Sequence, residues 1–126
     1  GAQIIADTFG GKISRLKRIE KGFKDIQIID THLFYGLPST IKVYEWHRDV
    51  IRKLPEGAHP VAANETCIQA FKYQNFFGVQ FHPEITAKIA LAMARRDGDD
   101  PKRILNGASR TYRKPFSIIE TFLRME

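Results

Sequence analysis

The chain has 126 residues, 43% of them hydrophobic and 27% charged, with a net charge of +6. That composition suits one soluble domain with a moderate core and excludes a disordered or collagen-like chain. No apolar run approaches the roughly 20 residues of a membrane span, no secretory signal pattern is expected, and a single cysteine excludes an internal disulfide and suits a cytoplasmic location.

In chain order, Ala2 to Phe9 reads as a short helix with Ile4, Ile5 and Phe9 as its apolar positions, ended by Gly10-Gly11. Lys12 to Arg18 reads as a weak strand and Asp25 to Asp30 as a better one. After a loop with Gly36-Leu37-Pro38, Thr40 to Trp46 alternates as a half-buried strand that ends at His47. Leu54-Pro55-Glu56-Gly57 is a turn, and Pro60 to Asn64 a short strand. Ile68 to Tyr73 and Phe76 to Phe81 form a hairpin around Gln74-Asn75. Ile85, Ile89, Ala92 and Met93 share one face of a helix that Asp97-Gly98-Asp99-Asp100-Pro101 breaks. A short helix spans Lys102 to Leu105, and a last one starts near Pro115 with Ser117 and Glu120 as a capping box.

The segment Gly78-Val79-Gln80-Phe81-His82-Pro83-Glu84 carries the chemistry. An apolar strand delivers a histidine at its end, and Pro83 forces an extended bend. A carboxylate two residues on can then hold one imidazole nitrogen and leave the other as a proton shuttle. His82 and Glu84 are thus two members of a nucleophile–base–orienter set. Cys67 is a poor candidate for the third, because no helix N-terminus stands behind it to lower its pKa. His32 and His59 read as surface residues, and Asp97, Asp99 and Asp100 as a solvated helix end without a calcium-loop pattern. No metal site and no cofactor are expected. The basic runs at 14–21, 95–96 and 110–114 read as solvated surface, so nucleic acid is disfavoured as a partner.

The string G-V-Q-F-H-P-E resembles the histidine–glutamate signature of class I, triad-type glutamine amidotransferases. Gly1-Ala2-Gln3-Ile4-Ile5-Ala6 with Gly10-Gly11-Lys12 is similar to the segment that follows the family's nucleophile elbow. Val43 to Asp49, Leu54 to Gly57, Ala62 to Glu65 and Gln69-Ala70-Phe71 continue the match, over roughly residues 1 to 90, with the nearest likeness to GMP-synthase-like domains. The resemblance implies an α/β class and a partial flavodoxin-like, three-layer fold lacking its N-terminal strands. Residues 1–126 are then the C-terminal portion of one amidotransferase domain, with parallel strands from half of its sheet.

It also implies an activity: hydrolysis of the glutamine side-chain amide, supplying ammonia to a synthase domain or subunit. His82 is then general base and acid, and Glu84 its orienter. Gln3, Trp46 and His47 lie on the glutamine-binding side. The elbow cysteine falls upstream of Gly1, so this chain alone is expected to be inactive. It is also expected to need the missing N-terminal half, or a second copy, to form a stable particle. A nucleophile-less glutamine-binding or regulatory module and a γ-glutamyl hydrolase are the alternatives.

Overall fold

The computed structural model describes residues 1–30 and 38–106. Helix α1 (Ala2–Thr8) is followed by five strands: β1 (Lys12–Ile28), β2 (Thr40–Lys53), β3 (His59–Ala63), β4 (Ile68–Tyr73) and β5 (Phe76–Val79). Helices α2 (Ala87–Asp97) and α3 (Pro101–Ile104) complete them. The strands form one sheet in the order β2-β1-β3-β4-β5.

Every strand pairing among the described residues is antiparallel. This corrects the expectation of parallel strands. Short turns join most of these strands, and a tight turn reverses the chain, whereas a parallel pair needs a long crossover. The α/β class and the family fold stand, and the described residues supply an antiparallel part of it.

The two strands expected at 12–18 and 25–30 are one long strand. Gly22, at φ +111, lets it bend without breaking; a side chain there would be strained. Pairing slips twice along it, between Lys12 and Ile13 and, more widely, between Arg15, which faces Asp49, and Glu20, which faces His47, so residues 16–19 bulge out. Strand β2 also runs on past His47 to Lys53, which places Trp46 and His47 inside a strand rather than at its end. Alternation along β2 turns Val43, Glu45 and His47 to one face and Tyr44 and Trp46 to the other.

Three apolar clusters hold these elements. Ile26, Ile41, Val43, Val61, Ala62, Ala70 and Phe81 fill the first. In the second, Phe23 and Tyr44 meet edge-on at 5.4 Å and receive Ala90, Ala94 and Ile104. The two rings take up the space, so only alanines of α2 fit fully beneath it. That is why Ala90 and Ala94 are the buried face of α2 while Ile89, expected inside, is exposed. Helix α2 starts where Thr86 accepts a hydrogen bond from the Ile89 amide and stops at Gly98 in the left-handed region.

The third cluster docks α1: Ala2 and Ala6 lie on Ile51 and Phe71. Close approach is permitted by glycine. A Cβ at Gly78 would fall 2.6 Å from the Phe71 ring and 3.1 Å from Ala2, and one at Gly11 would fall 2.6 Å from the Lys53 carbonyl oxygen. The expected helix end at Asp97–Asp100 is not merely solvated. Lys21 Nζ reaches Asp97 at 3.2 Å and Asp99 at 2.6 Å, and Asp100 caps α3 through the Lys102 amide. His32 and the last helix with its capping box lie outside the described residues.

Candidate active site

Strand β5 ends at Val79, and the chain continues through Gln80 and Phe81 into the His82-Pro83-Glu84 bend. Two backbone hydrogen bonds fix this bend. The His82 amide donates to the Tyr44 carbonyl at 2.9 Å, tying it to β2, and the Ile85 amide donates to the His82 carbonyl at 3.2 Å. The side chains then meet as the spacing predicts: His82 Nδ1 lies 2.8 Å from Glu84 Oε1. Both remain reachable by solvent, at 38% and 52% exposure. A half-wet pair of this kind contributes little to stability. Its effect is to fix the ring's orientation through Nδ1.

A groove of about 660 Å³ runs past this pair. Gly1 and Gln3 of the α1 end, Trp46 to Asp49 of β2, and Phe77 to Glu84 line it. All five site residues expected from sequence therefore border one space, although they come from three separate stretches of the chain. Gln3 is held rather than free: its Nε2 donates to the Asp49 carbonyl at 2.8 Å and to Gln80 Oε1 at 3.2 Å. That leaves its carbonyl oxygen as the group to offer a ligand. Gln80, itself buried, and Asp49 were not singled out from sequence. Only the partner at distance shows that they clamp Gln3. Trp46 presents a partly exposed ring with Lys21 Nζ 4.8 Å from its centre.

His47 differs from the other four. It borders the groove, yet its ring is buried among carboxylates. Nε2 lies 2.7 Å from Glu20 Oε1 and 2.8 Å from Glu45 Oε2. A contribution to ligand binding from this residue would come through its backbone. Burial alone would make the charged ring unfavourable, but Glu20 and then Glu45 outweigh it and lift the His47 pKa to about 9. Burial raises Glu20 too; hydrogen bonds from His47, Thr66 and Asn64 win and leave it below the ordinary value. Glu45 is fully buried, and burial pushes its carboxyl up to about 7 against the pull of His47.

Cys67 joins this cluster and not the groove. Burial, then the charges of Glu20 and Glu45, push its thiol up to about 12. Such a thiol is not ionised near neutrality, which agrees with reading it as a poor nucleophile.

The description "Glutamine amidotransferase class-I" belongs to the family model that matches residues 1–95. The chain belongs to that family. It is 42% identical over 89 residues to a glutamine-hydrolyzing GMP synthase subunit of Thermococcus kodakarensis, an alignment covering 68% of this chain and 47% of that protein. A Pyrococcus furiosus protein of the same description is 40% identical over the same share of each chain. Among solved structures, a glutamine amidotransferase from Thermotoga maritima superposes with a TM-score of 0.78 at 25% identity, covering 98% of this chain and 58% of that one. The chain thus spans about half the length of the curated relatives it matches.

Proposed function

We propose that these residues are the histidine-bearing C-terminal portion of a glutamine amidotransferase domain that releases ammonia from glutamine for a synthase of the GMP-synthase type. The reading is supported above all by one juxtaposition: Gly1, where the family's nucleophile segment would join, borders the same groove as the His82–Glu84 pair. A cysteine two residues upstream of Gly1 would enter that groove from the α1 end.

The chemistry follows from the ring geometry. A thiolate attacks the side-chain carbonyl carbon of glutamine, and backbone amides at the elbow hold the oxyanion. Imidazolium at His82 gives its Nε2 proton to the departing nitrogen, the C–N bond breaks, and ammonia leaves. The neutral ring then takes a proton from water as it attacks the thioester, and the C–S bond breaks, releasing glutamate and restoring the thiolate beside the imidazolium. Glu84 holds Nδ1–H throughout and steadies the imidazolium. Gln3 Oε1 and the backbone of Trp46 and His47 bind the glutamine head.

The test is ammonia release by the full-length protein. Glu84→Gln removes the charge that fixes the ring and is expected to lower kcat by about tenfold or more, with KM for glutamine little changed. Unchanged kcat would count against the orienting role. A second reading, a glutamine-binding module without turnover, is favoured by the position of Cys67 outside the groove. Calorimetry separates the two, since binding of glutamine without ammonia release supports the module. Glu84 favours either over a γ-glutamyl hydrolase, a group that usually varies around this position.

The isolated 126-residue chain is expected to be inactive and to associate. Among the described residues β5 pairs on one side only, and Ile4 on α1 is 71% exposed. An unpaired edge beside apolar surface recruits another strand, from the remaining half of the domain or from a second copy. Size-exclusion chromatography should show a complex or aggregate. A sharp 14.5 kDa monomer with cooperative melting would contradict this.

A further inference from the structure

The buried cluster beside His47 leaves polar atoms on both sides unpaired, His47 Nδ1 among them. One imidazole nitrogen faces two carboxylate oxygens, at 2.7 and 2.8 Å, and a single N–H serves only one of them. Glu20 wins that bond and is supported further by Asn64 at 3.3 Å and Gln69 at 3.3 Å. Glu45 lies outside hydrogen-bonding geometry, and both its oxygens are fully buried without a donor, as is Gln69 Oε1. Burying a carboxylate without donors is costly, so such a group calls for a cation or a proton.

Soft and borderline donors surround the same point. A carboxylate oxygen of Glu20, a ring nitrogen of His47 and Cys67 Sγ lie within 4.8 Å of one another. Ligand atoms in a tetrahedral zinc site stand roughly 3.3–3.8 Å apart, given metal–ligand lengths of about 2.0–2.3 Å. The cluster therefore needs only side-chain adjustment to hold an ion. Its surroundings already orient the donors. Gln69 Nε2 bridges Glu20 Oε1 and Cys67 Sγ, the latter at 3.4 Å. Asn64 Oδ1 accepts from the Thr66 and Cys67 amides at 3.0 Å each and so fixes the turn that carries the thiol. A second, polar groove of about 430 Å³ has Glu20, Asn64 and Thr66 in its wall.

We propose that Glu20, His47 and Cys67 form a binding site for a thiophilic divalent metal of the zinc class, beside the buried Glu45 carboxylate. The mixed oxygen, nitrogen and sulfur set suits zinc or cobalt and disfavours magnesium or calcium. Binding replaces the thiol proton and the Nε2 proton by the ion, and both protons pass to solvent. The site is a staple: it joins β1, β2 and the start of β4 where the β1 bulge has interrupted regular pairing. Local spacing could not announce it, because the ligands come from three separate parts of the sheet.

The experiment is a titration of the chelator-treated, full-length protein with Co²⁺. One equivalent is expected to bind with a thiolate-to-cobalt charge-transfer band in the near ultraviolet and tetrahedral ligand-field bands, and Zn²⁺ should displace it. Cys67→Ser is nearly isosteric and should abolish the charge-transfer band. Glu20→Gln should weaken Zn²⁺ binding at least about tenfold while circular dichroism stays unchanged. Absence of the band would overturn the proposal. So would a band that survives Cys67→Ser, which would belong to another thiol.

Discussion

Replacing His82 by alanine in the full-length protein is expected to lower glutamine hydrolysis by about 10²–10⁴-fold, the usual worth of a positioned proton-transfer group. The loss should fall on kcat. His82 stands at the edge of the groove, and the clamp on Gln3 by Asp49 and Gln80 does not involve its ring. Glutamine should therefore still bind, with its dissociation constant changed by only a few fold. Folding should survive, because the bend is held by the His82 backbone amide on the Tyr44 carbonyl, which alanine retains. Steady-state ammonia release and calorimetry on one preparation check both halves. Full activity in the alanine variant would remove the basis for the proposed mechanism. Lost glutamine binding would instead make the ring a binding group.

Phe71→Ala is expected to be the most damaging single truncation in the described core. Phe71 is fully buried, and its ring lies against Gly78 and in the cluster with Ala2, Ala6 and Ile51. Gly78, directly against the ring, has no side chain to move into the space, so any collapse must come from Ile51 and the partly buried Ile5, Leu54 and Ile68 of the same cluster. A buried phenylalanine cut to alanine typically costs about 3–5 kcal/mol, and a loss within that range is expected here. Urea denaturation of the full-length protein should show the loss as a lower midpoint at unchanged slope. A cost below about 1 kcal/mol would mean that α1 is not docked as described. Activity should also fall, because the ring seats the helix end that brings Gly1 and Gln3 to the groove.

Much of this was legible in the sequence. Alternating β-branched and aromatic residues marked β2 and the β4–β5 hairpin, because a one-faced sheet imposes a period of two. Gly10-Gly11 and Gly98 marked helix ends. The H-P-E string predicted the imidazole–carboxylate contact, since that contact depends only on neighbours in the chain. What escaped was set by distant partners. The direction of strand pairing is a choice among segments far apart in sequence. The depth of Ile89 depended on two rings from β1 and β2. The carboxylate crowd around His47 needed Glu20 to arrive from a strand distorted by a bulge. Glu45 and His47 did share a face by simple alternation, and that i, i+2 pair was the one available hint.

The groove takes its lining from the start of α1, the middle of β2 and the stretch from Phe77 to Glu84. Nothing shorter than the chain through Glu84 can bring Gly1 and His82 face to face. During synthesis, a thiol placed ahead of α1 as proposed would emerge long before its proton acceptor exists. On the proposed mechanism, hydrolysis is withheld until the last hairpin has closed, so a half-made polypeptide cannot waste glutamine.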